Sequence, residues 1–125
     1  MRIDITYISV GLVFLIIGMA FGSWMGMTEN GQFATAHAHW NLLGFVAGTL
    51  YGLIHRAYPK LRESRLAWLQ FFTHYAGVLI FVPGLLLAIM TNNPIVVIIG
   101  SVLVLLATLI FAWMFISRAT ALAAT

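Results

Sequence analysis

The 125-residue chain is 62% hydrophobic and only 7% charged, and its mean hydropathy is +1.03. Soluble domains carry about 25% charged residues, so this composition excludes an ordinary soluble protein and indicates a polytopic membrane protein. Cysteine is absent, which excludes disulfides, thiolate metal sites, iron–sulfur clusters and covalently attached c-type haem.

Four apolar segments are each long enough for a transmembrane helix, which needs about 20 residues. They cover approximately residues 5–27, 36–58, 66–90 and 95–116. Short polar breaks separate them, and Pro59 is expected to end the second segment. The sequence therefore predicts one all-α domain, residues 1–125, with four transmembrane helices.

The basic residues predict the orientation of these helices. Four lie between the second and third segments, one precedes the first segment and one follows the fourth: Arg56, Lys60, Arg62, Arg65, Arg2 and Arg118. By the positive-inside rule, this loop and both termini are cytoplasmic. We expect a multi-pass protein of a bacterial inner membrane. A cleaved signal peptide ending near residues 34–36 is the alternative, but its apolar stretch is longer than such peptides have.

Histidines supply the candidate functional groups, because polar side chains at membrane depth are usually functional. His37 and His39 open the second segment near the outer surface, and the alternative for both is a pair of interfacial histidines wetted by headgroups. His74 lies inside the third segment and is either a core histidine bonded to a hydroxyl or a second metal ligand. His55 is expected at the cytoplasmic interface.

A helical projection at 100° per residue adds polar and small residues to the face of His37. Asn41, Gly44 and Gly48 fall on that face, whereas His39 points to roughly the opposite side. A histidine followed by glycines leaves a flat groove that could receive a porphyrin. The alternative is close helix packing, because glycines spaced by four residues allow helix backbones to approach each other.

Neutral imidazole is the commonest axial ligand of haem iron, and no thiol or clustered carboxylate competes for that role. We therefore predict a b-type haem, with His37 and His39 as iron ligands and Asn41, Gly44 and Gly48 beside it. Because the two ligands are two positions apart on a helix, they must serve different partners. Asp4, Glu29 and Glu63 all lie outside the spans or at their edges, which weakens a channel or transporter interpretation.

The segment Thr35-Ala36-His37-Ala38 resembles the start of the second helix of haem-copper oxidase catalytic subunits. Residues 37–59 are similar to small proteins described as oxidase-subunit-I-like, so the resemblance covers about a quarter of the chain. The family's twelve helices form three four-helix repeats around a pseudo-threefold axis. The resemblance implies a homotrimer with a twelve-helix ring, in which His37 of one subunit and His39 of its neighbour hold one haem.

The resemblance also implies that His74 lies on the kind of helix that carries copper ligands. The family has an adjacent histidine pair there, whereas this chain has Tyr75. Copper is therefore not favoured, since it would need His74 from three subunits at the axis, and reduction of oxygen to water is not expected.

Three functions follow from these patterns. The first is haem-dependent electron transfer or gas and redox chemistry, with a quinol or an electron-transfer protein as partner and with oxidoreductase activity left open. The second is a haem-free accessory or assembly subunit whose glycine stripes dock a larger oxidase-like protein. The third is a small channel or transporter. Nucleic acid is not an expected partner, since most of the basic residues fall in one short loop.

Overall fold

The computed structural model describes residues 1–123, with side chains through Arg118, and it is helical with no strand in this part of the chain. The prediction of an all-α fold is confirmed. The elements are α1 (Ile3–Met27), α2 (Ala34–His39), the π-helix π1 (Trp40–Ala47), α3 (Gly48–Ala57), a 3₁₀ helix (Pro59–Glu63), α4 (Arg65–Thr91) and α5 (Ile95–Ala123).

Three of these elements follow one another without a break. The backbone is right-handed helical at both junctions, between His39 and Trp40 and between Ala47 and Gly48. Residues 34–57 therefore form one continuous helical rod, called here the 34–57 segment. Its middle third has the wider i→i+5 hydrogen bonding of a π-helix, which the sequence did not predict.

Three helices among the described residues are long and apolar enough to cross a membrane. They are α1, α4 and the part of α5 that ends at Arg118. These correspond to the predicted spans 5–27, 66–90 and 95–116. The 34–57 segment consists of three shorter helical elements, so the second predicted span, 36–58, stays a prediction.

Local sequence signals explain where α4 begins and ends. The Ser64 hydroxyl accepts a hydrogen bond of 3.2 Å from the Leu66 amide, as an N-cap residue does. At the other end, Asn92 has a φ of 59°, a left-handed conformation that asparagine tolerates better than most residues. Pro94 then restricts the residue before it, and α5 starts directly afterwards. A short polar turn thus separates α4 from α5.

Glycines bring the helices together in two pairs. A Cβ on Gly77 would lie 2.8 Å from the Val104 backbone nitrogen, so α4 and α5 pack with almost no side chain between them there. Similarly, a Cβ on Gly52 would lie 3.0 Å from the Asp4 carbonyl oxygen, where the 34–57 segment meets α1. Such contacts let membrane helices associate by close packing. The core between the two pairs is aromatic and aliphatic and includes Tyr7, Phe14, Phe71, Tyr75, Val78 and Met114.

Candidate functional site

His37 lies at the start of the 34–57 segment and contacts α1. Its imidazole stands edge-on to Phe21, with ring centroids 5.8 Å apart, and it occupies the space that a Cβ on Gly22 would need. Nε2 accepts a long hydrogen bond of 3.4 Å from the Asn41 side-chain nitrogen. Nδ1 is buried and has no hydrogen-bond partner among the described residues. An orphaned buried nitrogen of this kind needs a physical explanation.

His39 faces α4 instead. Its ring lies 5.2 Å from the ring of Phe81, and Nδ1 donates a hydrogen bond of 2.8 Å to the Thr35 carbonyl oxygen. This bond fixes the tautomer, because the nitrogen that donates must carry the proton. Nε2 consequently keeps its lone pair, which is the arrangement that metal-binding histidines usually have.

The two imidazoles therefore contact different helices, α1 for His37 and α4 for His39. Neither ring can share an iron with the other within one chain. Trp40, the next residue, is held by a hydrogen bond of 2.8 Å from its Nε1 to the Phe14 carbonyl oxygen. At this end of the segment, the two histidines therefore point to opposite sides, next to the Trp40 side chain that this hydrogen bond holds in place.

The glycine face below His37 is filled by the chain's own side chains. A Cβ on Gly44 would overlap the ring of Phe14, and a Cβ on Gly48 would overlap the Tyr75 hydroxyl. Asn41 in turn packs against Gly18, and its Oδ1 is buried without a partner in the described part of the chain. Gly44 and Gly48 therefore serve helix packing in this structure, and a porphyrin has no room beside them.

The π-helix meets α4 through two hydrogen bonds. His74 donates from Nε2 to the Leu43 carbonyl oxygen, and the Tyr75 hydroxyl donates to the Gly44 carbonyl oxygen, both at 2.9 Å. His74 is completely buried, and its Nδ1 has no hydrogen-bond partner among the described residues. The partner of His74 is thus a backbone carbonyl rather than the neighbouring hydroxyl that the sequence suggested.

His55 was expected at the cytoplasmic interface, and its depth in a membrane stays a prediction; its side chain is fully buried within the bundle. It stacks on Tyr7 at a centroid distance of 6.0 Å, and neither ring nitrogen has a hydrogen-bond partner in the part that the structure describes. Tyr7 donates a short hydrogen bond to Gln70 Oε1 on α4. The bundle therefore contains a buried polar group of Tyr7, His55, Gln70 and His74 that sequence reasoning missed. Contacts of this kind join residues on different helices, so the sequence pattern of any one helix does not reveal them.

Two clefts open beside the histidine-bearing end. The first has a volume of about 410 Å³ and is lined by Gly22, Met25, Gly26, Glu29, Asn30, Gly31 and His37. The second has a volume of about 340 Å³ and an entirely apolar lining of Ile17, Phe21, Trp40, Val82, Pro83 and Leu86. Among residues 1–118, no group of three or more histidine, aspartate or glutamate side chains is placed to hold a metal ion. Any metal at this end would therefore need ligands from a second copy or a partly open coordination sphere.

No protein-family model matches the chain, and no curated protein or solved structure matches it.

Proposed function

We propose that this chain is a four-span protein of a bacterial inner membrane that binds b-type haem between copies of itself. His37 of one copy and His39 of the next are the proposed axial ligands. The observation that carries the proposal is the state of these two imidazoles. His39 has a fixed tautomer with a free Nε2, and His37 lines the open cleft beside Gly22 and Gly26.

The donor chemistry supports haem more than other metals. Two neutral imidazoles suffice for the axial positions of a haem, whereas a structural zinc site needs about four ligands. Glu29 lines the cleft beside His37, but no second carboxylate or cysteine joins it. The same donor set is what the resemblance to haem-copper oxidase subunits implies for this helix.

The position of the porphyrin must differ from the one expected from the helical projection. Phe14 and Tyr75 fill the space at Gly44 and Gly48, so the ring would lie nearer the outer end. There the cleft beside His37 is lined by Gly22 and Gly26, and a Cβ on Gly26 would meet nothing within 4 Å. The missing side chain at Gly26 leaves room for a flat ring to approach the imidazole.

Opposite-facing ligands favour a ring of subunits. A heterologous contact joins two different surfaces of the same chain, and it closes into a ring when the rotation allows. His37 on the α1 side and His39 on the α4 side would meet at each such contact. A trimer would contain twelve helices, as the family resemblance implies.

A haem held by His37 and His39 would supply electron transfer, or binding of a gas such as oxygen or nitric oxide where one of the two histidines is lost. The chain's own residues would hold the ring and set the tautomer of its ligand through Thr35. Copper and oxygen reduction are not part of the proposal, because Tyr75 follows His74 where the family has an adjacent histidine pair.

The test uses ligand removal followed by chemical rescue. We expect His37→Gly and His39→Gly each to lose the low-spin haem spectrum and to regain it when imidazole is added, because free imidazole can occupy the vacated space. The control is His55→Ala, which removes a histidine far from the proposed site and is expected to keep its haem. Equal haem content in all three variants would refute the ligand assignment.

The same purification also tests the accessory-subunit alternative. That alternative expected two glycine stripes to dock a partner, namely Gly18, Gly22 and Gly26 in the first span and Gly44, Gly48 and Gly52 in the second. All of them except Gly26 already contact this chain's own residues. A co-purifying partner together with no Soret band would favour that alternative. Flux into liposomes by the haem-free protein would favour a channel.

A further inference from the structure

A cluster of charges lies at the opposite end of the bundle from His37. Asp4, in the first turn of α1, is completely buried, and three arginines from different segments surround its carboxylate. Arg2 donates two hydrogen bonds to it, of 3.0 Å and 2.6 Å, and Arg62 from the 3₁₀ helix donates one of 3.2 Å. Arg56, at the end of α3, lies 3.7 Å away.

The carboxylate does not neutralise this cluster. Three guanidinium groups carry three positive charges and Asp4 carries one negative charge, so two positive charges remain. Arg56 makes no hydrogen bond among the described residues, and 65% of its side chain is exposed. Each guanidinium has five N–H donors in a planar fork that matches the oxygens of a phosphate. The cluster therefore offers unused donors and uncompensated charge at one point.

We propose that Arg2, Arg56 and Arg62 form a binding site for the phosphate of an anionic phospholipid. Asp4 acts as the fixed centre that holds the three guanidinium groups together, and the lipid phosphate completes the charge balance. The proposal rests on the four-span arrangement of the proposed function but not on haem. It is independent of the histidines, so either part can fail without the other.

The surroundings favour a lipid over a soluble anion. The cluster lies where helices that are apolar enough for a membrane end, and the remaining basic residues gather at the same end. Arg118 at the end of α5 donates a hydrogen bond of 3.2 Å to the Lys60 carbonyl oxygen, which joins α5 to this loop. Tyr58 and Trp68, both partly exposed, flank the loop as aromatic residues do at a membrane interface. Basic pockets between membrane helices on the cytoplasmic side are known to bind anionic headgroups.

Quenching of tryptophan fluorescence by lipids with brominated tails measures whether the protein prefers an anionic lipid to a zwitterionic one. The full-length protein is placed in bilayers of phosphatidylcholine and phosphatidylglycerol, with one of the two lipids brominated. The salt concentration is about 0.5 M, where the Debye length is about 4 Å and diffuse attraction is screened. We expect the wild type to prefer phosphatidylglycerol and Arg56→Gln to reduce this preference about fivefold, the upper range for one exposed ion pair in direct contact.

Arg65→Gln is the matched control, because Arg65 is an exposed arginine next to the same loop that makes no ion pair with Asp4. It is expected to keep the wild-type preference. Arg56 makes no hydrogen bond to Asp4, so its replacement leaves all three arginine hydrogen bonds to Asp4 intact. Equal quenching by the two lipids in the wild type would overturn the proposal, as would an equal loss in Arg65→Gln. Excess soluble glycerol phosphate should leave the preference for phosphatidylglycerol unchanged. If glycerol phosphate abolishes that preference, the site binds free phosphate instead.

Discussion

Replacing Gly77 by alanine is expected to weaken the contact between α4 and α5. The added Cβ would lie 2.8 Å from the Val104 backbone nitrogen, 2.9 Å from Val104 Cγ2 and 3.0 Å from Leu103 Cβ. Ordinary contacts of a Cβ begin at 3.4 Å, and the closest of these atoms belongs to backbone that cannot rotate away. The two helices must therefore separate by several tenths of an ångström.

The cost of this separation follows from two opposing effects. Overpacking a close contact costs about 1–3 kcal/mol, and alanine recovers up to about 1 kcal/mol because it favours a helix more than glycine does. We expect a net loss of about 1–2 kcal/mol in the free energy of unfolding, a factor of roughly 5 to 30 in the equilibrium constant.

Gly26→Ala is the matched control, since a Cβ at Gly26 in α1 would meet nothing within 4 Å. It should leave the stability unchanged or raise it slightly. Both variants can be unfolded reversibly by titrating sodium dodecyl sulfate into mild-detergent micelles while circular dichroism follows helicity. If Gly77→Ala unfolds at the same detergent fraction as Gly26→Ala, the close approach of α4 and α5 is refuted.

Two further substitutions test other contacts by the same unfolding titration. Asp4→Asn should lower the stability by about 1–3 kcal/mol, because Arg2 and Arg62 lose a charged acceptor; an unchanged transition would contradict the buried ion cluster. Tyr75→Phe removes the hydrogen bond to the Gly44 carbonyl oxygen and should cost about 0.6 kcal/mol, the average measured for interhelical bonds in a membrane. A loss above about 2 kcal/mol would mean that this bond holds the π-helix in place.

The sequence predicted the helical elements well because their limits depend on local signals. The helix bounds agree with the predicted spans to within two residues for α1 and α4, since Ser64 and Asn92 act through their own backbone neighbours. The basic residues were also expected to lie at one end of the bundle. Arg2, Arg56 and Arg62 do lie close together there, because all three contact Asp4.

The candidate site was harder to predict because it depends on contacts between helices. The projection at 100° per residue assumes a regular α-helix, and π1 interrupts it between Trp40 and Ala47. Its hydrogen bonds with His74 and Tyr75 involve partners 31 residues away, so no local pattern could reveal them. Likewise, only the packed structure could show that Phe14 fills the space at Gly44. The opposite orientation of His37 and His39 could be predicted because it depends on local helix geometry alone. In the structure His37 contacts α1 and His39 contacts α4, as that orientation requires.

The most direct measurement is a visible absorption spectrum of the detergent-purified wild-type protein, taken oxidised and after reduction with dithionite. The proposal predicts a Soret band and sharp α and β bands on reduction, as low-spin b-type haem with two histidine ligands gives. A flat visible spectrum from protein produced with ample haem would contradict the haem assignment of His37 and His39.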